Sequence, residues 1–117
     1  MNIKELLSRY TAGQRDFRNL NLIAANLRNV NLSGANFSGA NLTKANLTRT
    51  NLSHANLTDA TMVGAQLTET NFIGANLTNV NLSEANLSNA YLRGAIMPNL
   101  VSPSFISNSL ESSLTKD

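Results

Sequence analysis

The sequence predicts an all-β solenoid, a coil of short extended segments joined by bends, led in by one short α-helix. Three observations carry that expectation. From Phe17 through Leu22 and Leu27 to Leu92 and Met97, a large apolar residue stands at every fifth position without a miss. A period of five suits neither regular element. On a helix, at about 100° per residue, successive Leu would step round the axis and make no face; on a continuous strand an odd repeat flips each Leu to the opposite side. Within one pentapeptide, however, alternation works. The residue two before the apolar centre is usually Ala, with Thr or Val in four repeats, and it shares the side of the centre. The Asn before the centre and the Ser or Thr after it share the other side. The fifth residue is Gly, Asn, Lys, Arg, Glu, Asp, Ala or His, as an exposed bend requires.

The repeat runs from residue 15 to residue 99, seventeen copies in a chain of 117 residues, so a single domain is expected. Residues 1–14 form a lead-in and residues 100–117 follow the repeat. Nine Lys/Arg stand against seven Asp/Glu, a formal charge of +2, which implies no strongly charged partner. The chain has no Cys, which excludes disulfides, thiol catalysis and cysteine-ligated metal. Met1 to Gly13 carries Lys4, Glu5 and Arg9 and has no unbroken apolar run of signal-peptide length. No stretch approaches the roughly 18 apolar residues of a membrane span. A soluble cytoplasmic protein is therefore expected, with Met1 ahead of a capped helix pointing to a complete chain.

Asn2 to Ala12 reads as an amphipathic helix. Ile3, Leu6, Leu7 and Tyr10 fall at i, i+3, i+4 and i+7, one apolar stripe. Asn2 with Glu5 three residues on makes an N-terminal capping pair, and Gly13 suits the left-handed stop. Three turns are marginal alone in water, so the stripe is expected to pack on the start of the repeat.

The tandem A-N-L-x-x motif, as in Ala75-Asn76-Leu77-Thr78-Asn79 and Ala85-Asn86-Leu87-Ser88-Asn89, resembles the pentapeptide-repeat family over residues 15–99. The resemblance implies a right-handed quadrilateral β-solenoid, four pentapeptides or twenty residues per coil, hence about four coils. At about 4.8 Å between stacked strands its body would be roughly 20 Å long. Read in columns of twenty, Phe17, Phe37, Leu57, Leu77 and Met97 would stack on one face, and Leu27, Leu47, Leu67 and Leu87 on another. Leu32, Leu52, Phe72 and Leu92 would form a third, and Leu22, Leu42, Met62 and Leu82 the fourth. Outside, Arg49 would lie over Glu69.

The departures from the motif are where specificity is expected. Arg15 occupies an inward position that should be small, so the first pentapeptide is expected to be a lead-in covered by the N-terminal helix. Thr61-Met62-Val63 and Gln66 break the Asn pattern without losing the centres; Tyr91, Ile96 and Pro98 break it at the end, where the ladder should stop. Beyond it, Leu100, Val101, Phe105 and Ile106 can fold over the last coil. Ile106, Leu110 and Leu114 could form a short capping helix, but six Ser between residues 102 and 117 favour a flexible tail beyond about residue 107.

Catalytic chemistry is not expected. His54 is the sole histidine, on a bend whose column neighbours would be Gly34, Gly74 and Gly94, with no acid to orient it. Asp16, Asp59, Glu69 and Glu84 scatter over different columns, so no metal or other cofactor is expected, and no small-molecule substrate. Lys4, Arg9, Arg15, Arg18 and Arg28 collect at the N-terminal end, offset by Glu5 and Asp16. Aromatics to interleave with bases are scarce there, so nucleic acid is not the expected partner. Candidate interaction residues are the apolar ones at outward positions: Ile23 and Val63 in one column, Ile73 in another, and Tyr91, Ile96 and Pro98 near the C-terminal end. The last group could form a homodimer interface or be covered by the tail of a monomer.

The function expected is a non-enzymatic protein–protein interaction or scaffold module. The resemblance offers a second reading, since some members resemble duplex DNA in shape and charge, dimerise through the C-terminal end and bind DNA gyrase. That mechanism wants a long, strongly acidic rod, whereas this chain is short and carries +2.

Overall fold

The computed structural model of the chain describes residues 1–98, so the expectations for residues 100–117, cap or tail, lie outside the described residues. Its one regular element is helix α1 (Ile3–Thr11). The Asn2 side chain accepts the Glu5 N–H at 2.8 Å, and Glu5 turns its own carboxylate to Arg9 at 2.6 Å. At the other end Gly13 takes φ +106, its N–H donating to Tyr10 O and the Gln14 N–H to Arg9 O, both at 3.0 Å. These are the paired bonds of a Schellman stop, which needs a residue at positive φ after the helix.

From Asp16 onward the backbone is a coil of bridges. Each bridge is parallel and joins a residue to the one twenty positions later: Asp16 to Asn36, Asn36 to Asn56, Asn56 to Asn76 and Asn76 to Ile96. The same step relates Asn21, Asn41, Thr61 and Asn81. Two further ladders start from Asn26 and Asn31. Twenty residues per turn and a bend every five give four sides, named here by their first apolar residue: the Phe17, Leu22, Leu27 and Leu32 sides, in chain order.

The bends explain why a five-residue motif is needed. In most of them the N–H two before a centre closes a turn on the previous centre's carbonyl, as Ala40 does on Phe37 at 3.0 Å. The residue before that N–H is left-handed. Lys44, Arg49, His54 and Glu69 all have φ between +56 and +59, although only glycine or asparagine adopts this region at little cost. At bends without glycine or asparagine the unfavourable dihedral is offset by the ladder bonds on both sides of it.

The interior is a stack of centres and small residues. Leu47, Leu57, Met62, Leu67, Phe72 and Leu77 are fully buried, as are Ala35, Ala40 and Ala45 beside them. Phe17 and Phe37 stack with ring centroids 5.5 Å apart and planes 21° from parallel, within the range where aromatic pairs add stability beyond burial. Thr50 and Thr70 take the Ala position with their hydroxyls satisfied: Thr50 Oγ1 donates to Leu27 O at 2.5 Å and Thr70 Oγ1 to Leu47 O at 2.7 Å. Among the described residues no buried side-chain polar atom lacks a partner. Thr70→Val keeps the volume and removes one buried hydrogen bond. Since Leu47 O still receives the Thr50 N–H at 2.9 Å, a loss of about 1 kcal/mol in chemical denaturation is expected.

Two sequence expectations are corrected here. The first pentapeptide is no lead-in: the Phe17 N–H donates to Asn36 O, the Asn36 N–H donates to Arg15 O, and Phe17 is 1% exposed. Only the Arg15 side chain departs, turning outward so that its guanidinium sits 3.7 Å from the Tyr10 ring centre. At the far end Met97 still packs against the core, partly exposed, but Pro98, expected outward, is buried as well. The last bridge is at Ile96, and beyond it no ladder holds the chain to the alternation.

Candidate interaction surface

The outer positions are more ordered than their neutral composition implies. In repeat after repeat the Asn side chain accepts the backbone N–H two residues on: Asn36 from Ser38 at 3.0 Å, Asn46 from Thr48 at 3.1 Å, Asn51 from Ser53 at 2.9 Å. At Thr43 and Thr78 the hydroxyl also donates to the same oxygen, that of Asn41 and of Asn76, at 2.6 Å. Asparagine is favoured here because its short amide reaches its own backbone two residues on. The outward Asn side chains and the hydroxyls of Thr43, Thr48, Thr78 and Ser88 are thereby pinned, and the sides are sparingly charged.

Charge sits on the bends, again in columns. Arg49 Nε donates to Asn29 Oδ1 at 3.0 Å, and its guanidinium lies 3.8 Å from the Glu69 carboxylate; Asn79 donates to Asp59 at 3.2 Å. The column after the Leu32 side is Gly34, His54, Gly74 and Gly94. His54 leans over Gly74 so closely that a β-carbon on Gly74 would lie 2.5 Å from its Nδ1. Glycine at 74 thus makes room for the imidazole. No group of three or more His, Cys, Asp or Glu placed to hold a metal occurs among the described residues.

The six candidate residues do not form one patch. Ile23 and Val63 share a column of the Leu22 side, separated by Thr43; Ile23 is 50% exposed and Val63 half-buried. Ile73 and Tyr91, both half-buried, lie on the Leu32 side, two sides away. Ile96, 55% exposed, sits round the glycine corner from them on the Phe17 side. Pro98 is buried and presents no outward face.

At the N-terminal end the cations are mostly engaged. Arg9 pairs with Glu5, Arg15 covers Tyr10, and Arg18 Nε lies 2.9 Å from Asp16 Oδ1. Hydrogen bonds from Arg18 hold the Asp16 carboxyl below its ordinary range and raise the guanidinium in turn. Lys4 and Arg28 form no ion pair among the described residues. Sequence reasoning singled out this end for its charge and missed its open backbone rim, which depends on how far α1 reaches.

The repeats over residues 21–59, 35–72 and 60–99 match the family model for pentapeptide repeats. The chain belongs to the pentapeptide-repeat family. Among solved structures it is similar to alr5209, a pentapeptide repeat protein from Nostoc PCC 7120, at 32% identity over 96% of this chain and 93% of that one, TM-score 0.73. It is also similar to HetL, a pentapeptide repeat protein of Nostoc sp. strain PCC 7120 involved in heterocyst differentiation regulation. There the identity is 36% over 81% of this chain, the TM-score is 0.54, and the match spans 46% of HetL. The fluoroquinolone resistance protein QnrB1 matches at 24% identity over 73% of this chain and 49% of that one, TM-score 0.43, too distant to bear on function. No match was found among curated protein sequences. No helix among the described residues is long and apolar enough to cross a membrane.

Proposed function

We propose that this chain is a non-enzymatic protein–protein interaction module: a right-handed quadrilateral solenoid of about four coils, covered in part at its N-terminal end by α1, whose sides are the recognition surface. The carrying observation is the pinning of outward Asn side chains to the backbone two residues on, with the Thr43 hydroxyl held in turn by Asn41. A surface already fixed loses little side-chain freedom on binding, and that loss is a principal cost of association. HetL, a relative by the measures above, is involved in regulating differentiation, which fits a partner-binding role for the family body. Duplex-DNA mimicry fits less well with a chain of net charge +2.

The test is photo-crosslinking from single positions, one per side, at Ser38, Thr43, Thr48 and Ser53, in extract of the source cells. Crosslinks to a defined partner from one side and not from its opposite are expected. An absence of specific crosslinks from all four overturns the reading.

A further inference from the structure

Each turn of the solenoid presents the same backbone groups towards its N-terminal neighbour. On the Leu22 side, the Asn41 N–H donates to Leu20 O, while Asn41 O and Thr43 O accept from the Leu22 and Ala24 N–H groups, all at 2.8–2.9 Å. The first turn has no turn above it. Its equivalent groups are the N–H and C=O of Asn21 with the C=O of Ile23, and the N–H and C=O of Asn26 with the C=O of Arg28. None of these six groups has a hydrogen-bond partner among the described residues.

The N-terminal segment covers this rim unevenly. Tyr10 Oη donates to Ser33 O at 2.6 Å and Gln14 Nε2 to Asp16 O at 2.8 Å, both around the corner where the Leu32 and Phe17 sides meet. Over the other two sides there is no such bond among the described residues. Leu20 and Ala25 are only partly buried there, whereas their counterparts one turn on, Ala40 and Ala45, are fully buried. An uncovered sheet edge is a template for another extended chain. The local charge selects which chain. Arg28 lies on the rim with no carboxylate partner, and Asp16 is already held by Arg18. Ile23, half exposed, offers an apolar contact on the adjoining side.

We propose that the N-terminal rim over residues 20–29 binds an extended acidic segment of a partner protein by strand addition, the guest backbone replacing the missing turn and a guest carboxylate lying over Arg28. The inference rests on the interaction-module reading and names its partner class.

The probe is a capped peptide of two pentapeptides, Ala-Asn-Val-Glu-Gly written twice, titrated into the full chain and followed by amide NMR. Its glycines can bend at the corner, and its glutamate follows each apolar centre as Arg28 does. Saturable shifts confined to residues 20–29 are expected, with amide exchange at Asn21 and Asn26 slowed about tenfold or more as their N–H groups gain partners. Arg28→Glu should weaken binding by about five- to tenfold, an effect that fades with added salt. A peptide N-methylated at every residue should not bind, because neither of its edges then carries the N–H groups that strand addition needs. Equal binding by the N-methylated peptide, or by one with lysine in place of glutamate, overturns the proposal. So does binding that leaves exchange at Asn21 and Asn26 unchanged. Specific crosslinks from the sides together with no binding at the rim would overturn the rim and leave the broader reading standing.

Discussion

Replacing Leu47 by alanine lowers stability by about 2–5 kcal/mol, while Thr48→Ala, one residue away, changes it by about 0.5 kcal/mol or less. Leu47 is fully buried, stacked between Leu27 and Leu67 in neighbouring turns, so truncation leaves a cavity against both. Successive turns are locked by bonds such as Leu47 N–H to Gln66 O at 2.8 Å, which leaves the backbone little freedom to collapse into the space. Thr48 points outward and donates its hydroxyl to Asn46 at 2.7 Å, an oxygen that keeps the Thr48 N–H when the hydroxyl is gone. At about 4–8 °C per kcal/mol for a domain this size, the leucine variant melts about 8 °C or more below the parent. Thermal melts of the two variants check it; equal losses would contradict the inside–outside assignment.

The second large effect is at the other end of the core. Leu6 is fully buried and is the one residue of α1 that is. Leu6→Ala is expected to cost about 2–5 kcal/mol in the contact between helix and first turn. A nine-residue helix is too short to persist alone, so α1 should melt separately and early. In an array whose turns touch only their neighbours, the distant turns keep their own stability. Far-UV circular dichroism at the helical minimum is expected to fall well below the temperature at which the solenoid unfolds. A single transition at the parent temperature would show that Leu6 does not anchor the helix.

How much of this was legible in the sequence follows from which interactions are local. The stack of centres was legible because each pentapeptide must place its apolar residue inside, and the family resemblance supplied the number of pentapeptides per turn. Arg49 over Glu69 followed from that number alone. The role of asparagine was not legible as chemistry: Asn46 was assigned outward, but its bond to the Thr48 N–H depends on the φ and ψ of the bend. Arg15 misled because size at one position cannot reveal that a side chain escapes sideways onto Tyr10. Pro98 misled because alternation was extended past Ile96, where the ladder that enforces it has ended. The open rim at Asn21 and Asn26 depends on the reach of α1, and nothing in residues 20–29 records that.

The twenty-residue ladder has a consequence for how such a chain can change. Inserting one pentapeptide after Ala60 would leave every apolar centre on the inside, since each following residue moves to an equivalent place on the next side. The outer surface would not be preserved. Everything beyond the insertion would turn by a quarter relative to everything before it, so Glu69 would leave the column of Arg49 and Ile73 would leave that of Ser53. Gain or loss of five residues is thus nearly silent to folding and abrupt for recognition. A lineage of such chains can shuffle its binding faces like the dials of a combination lock while its interior stays the same.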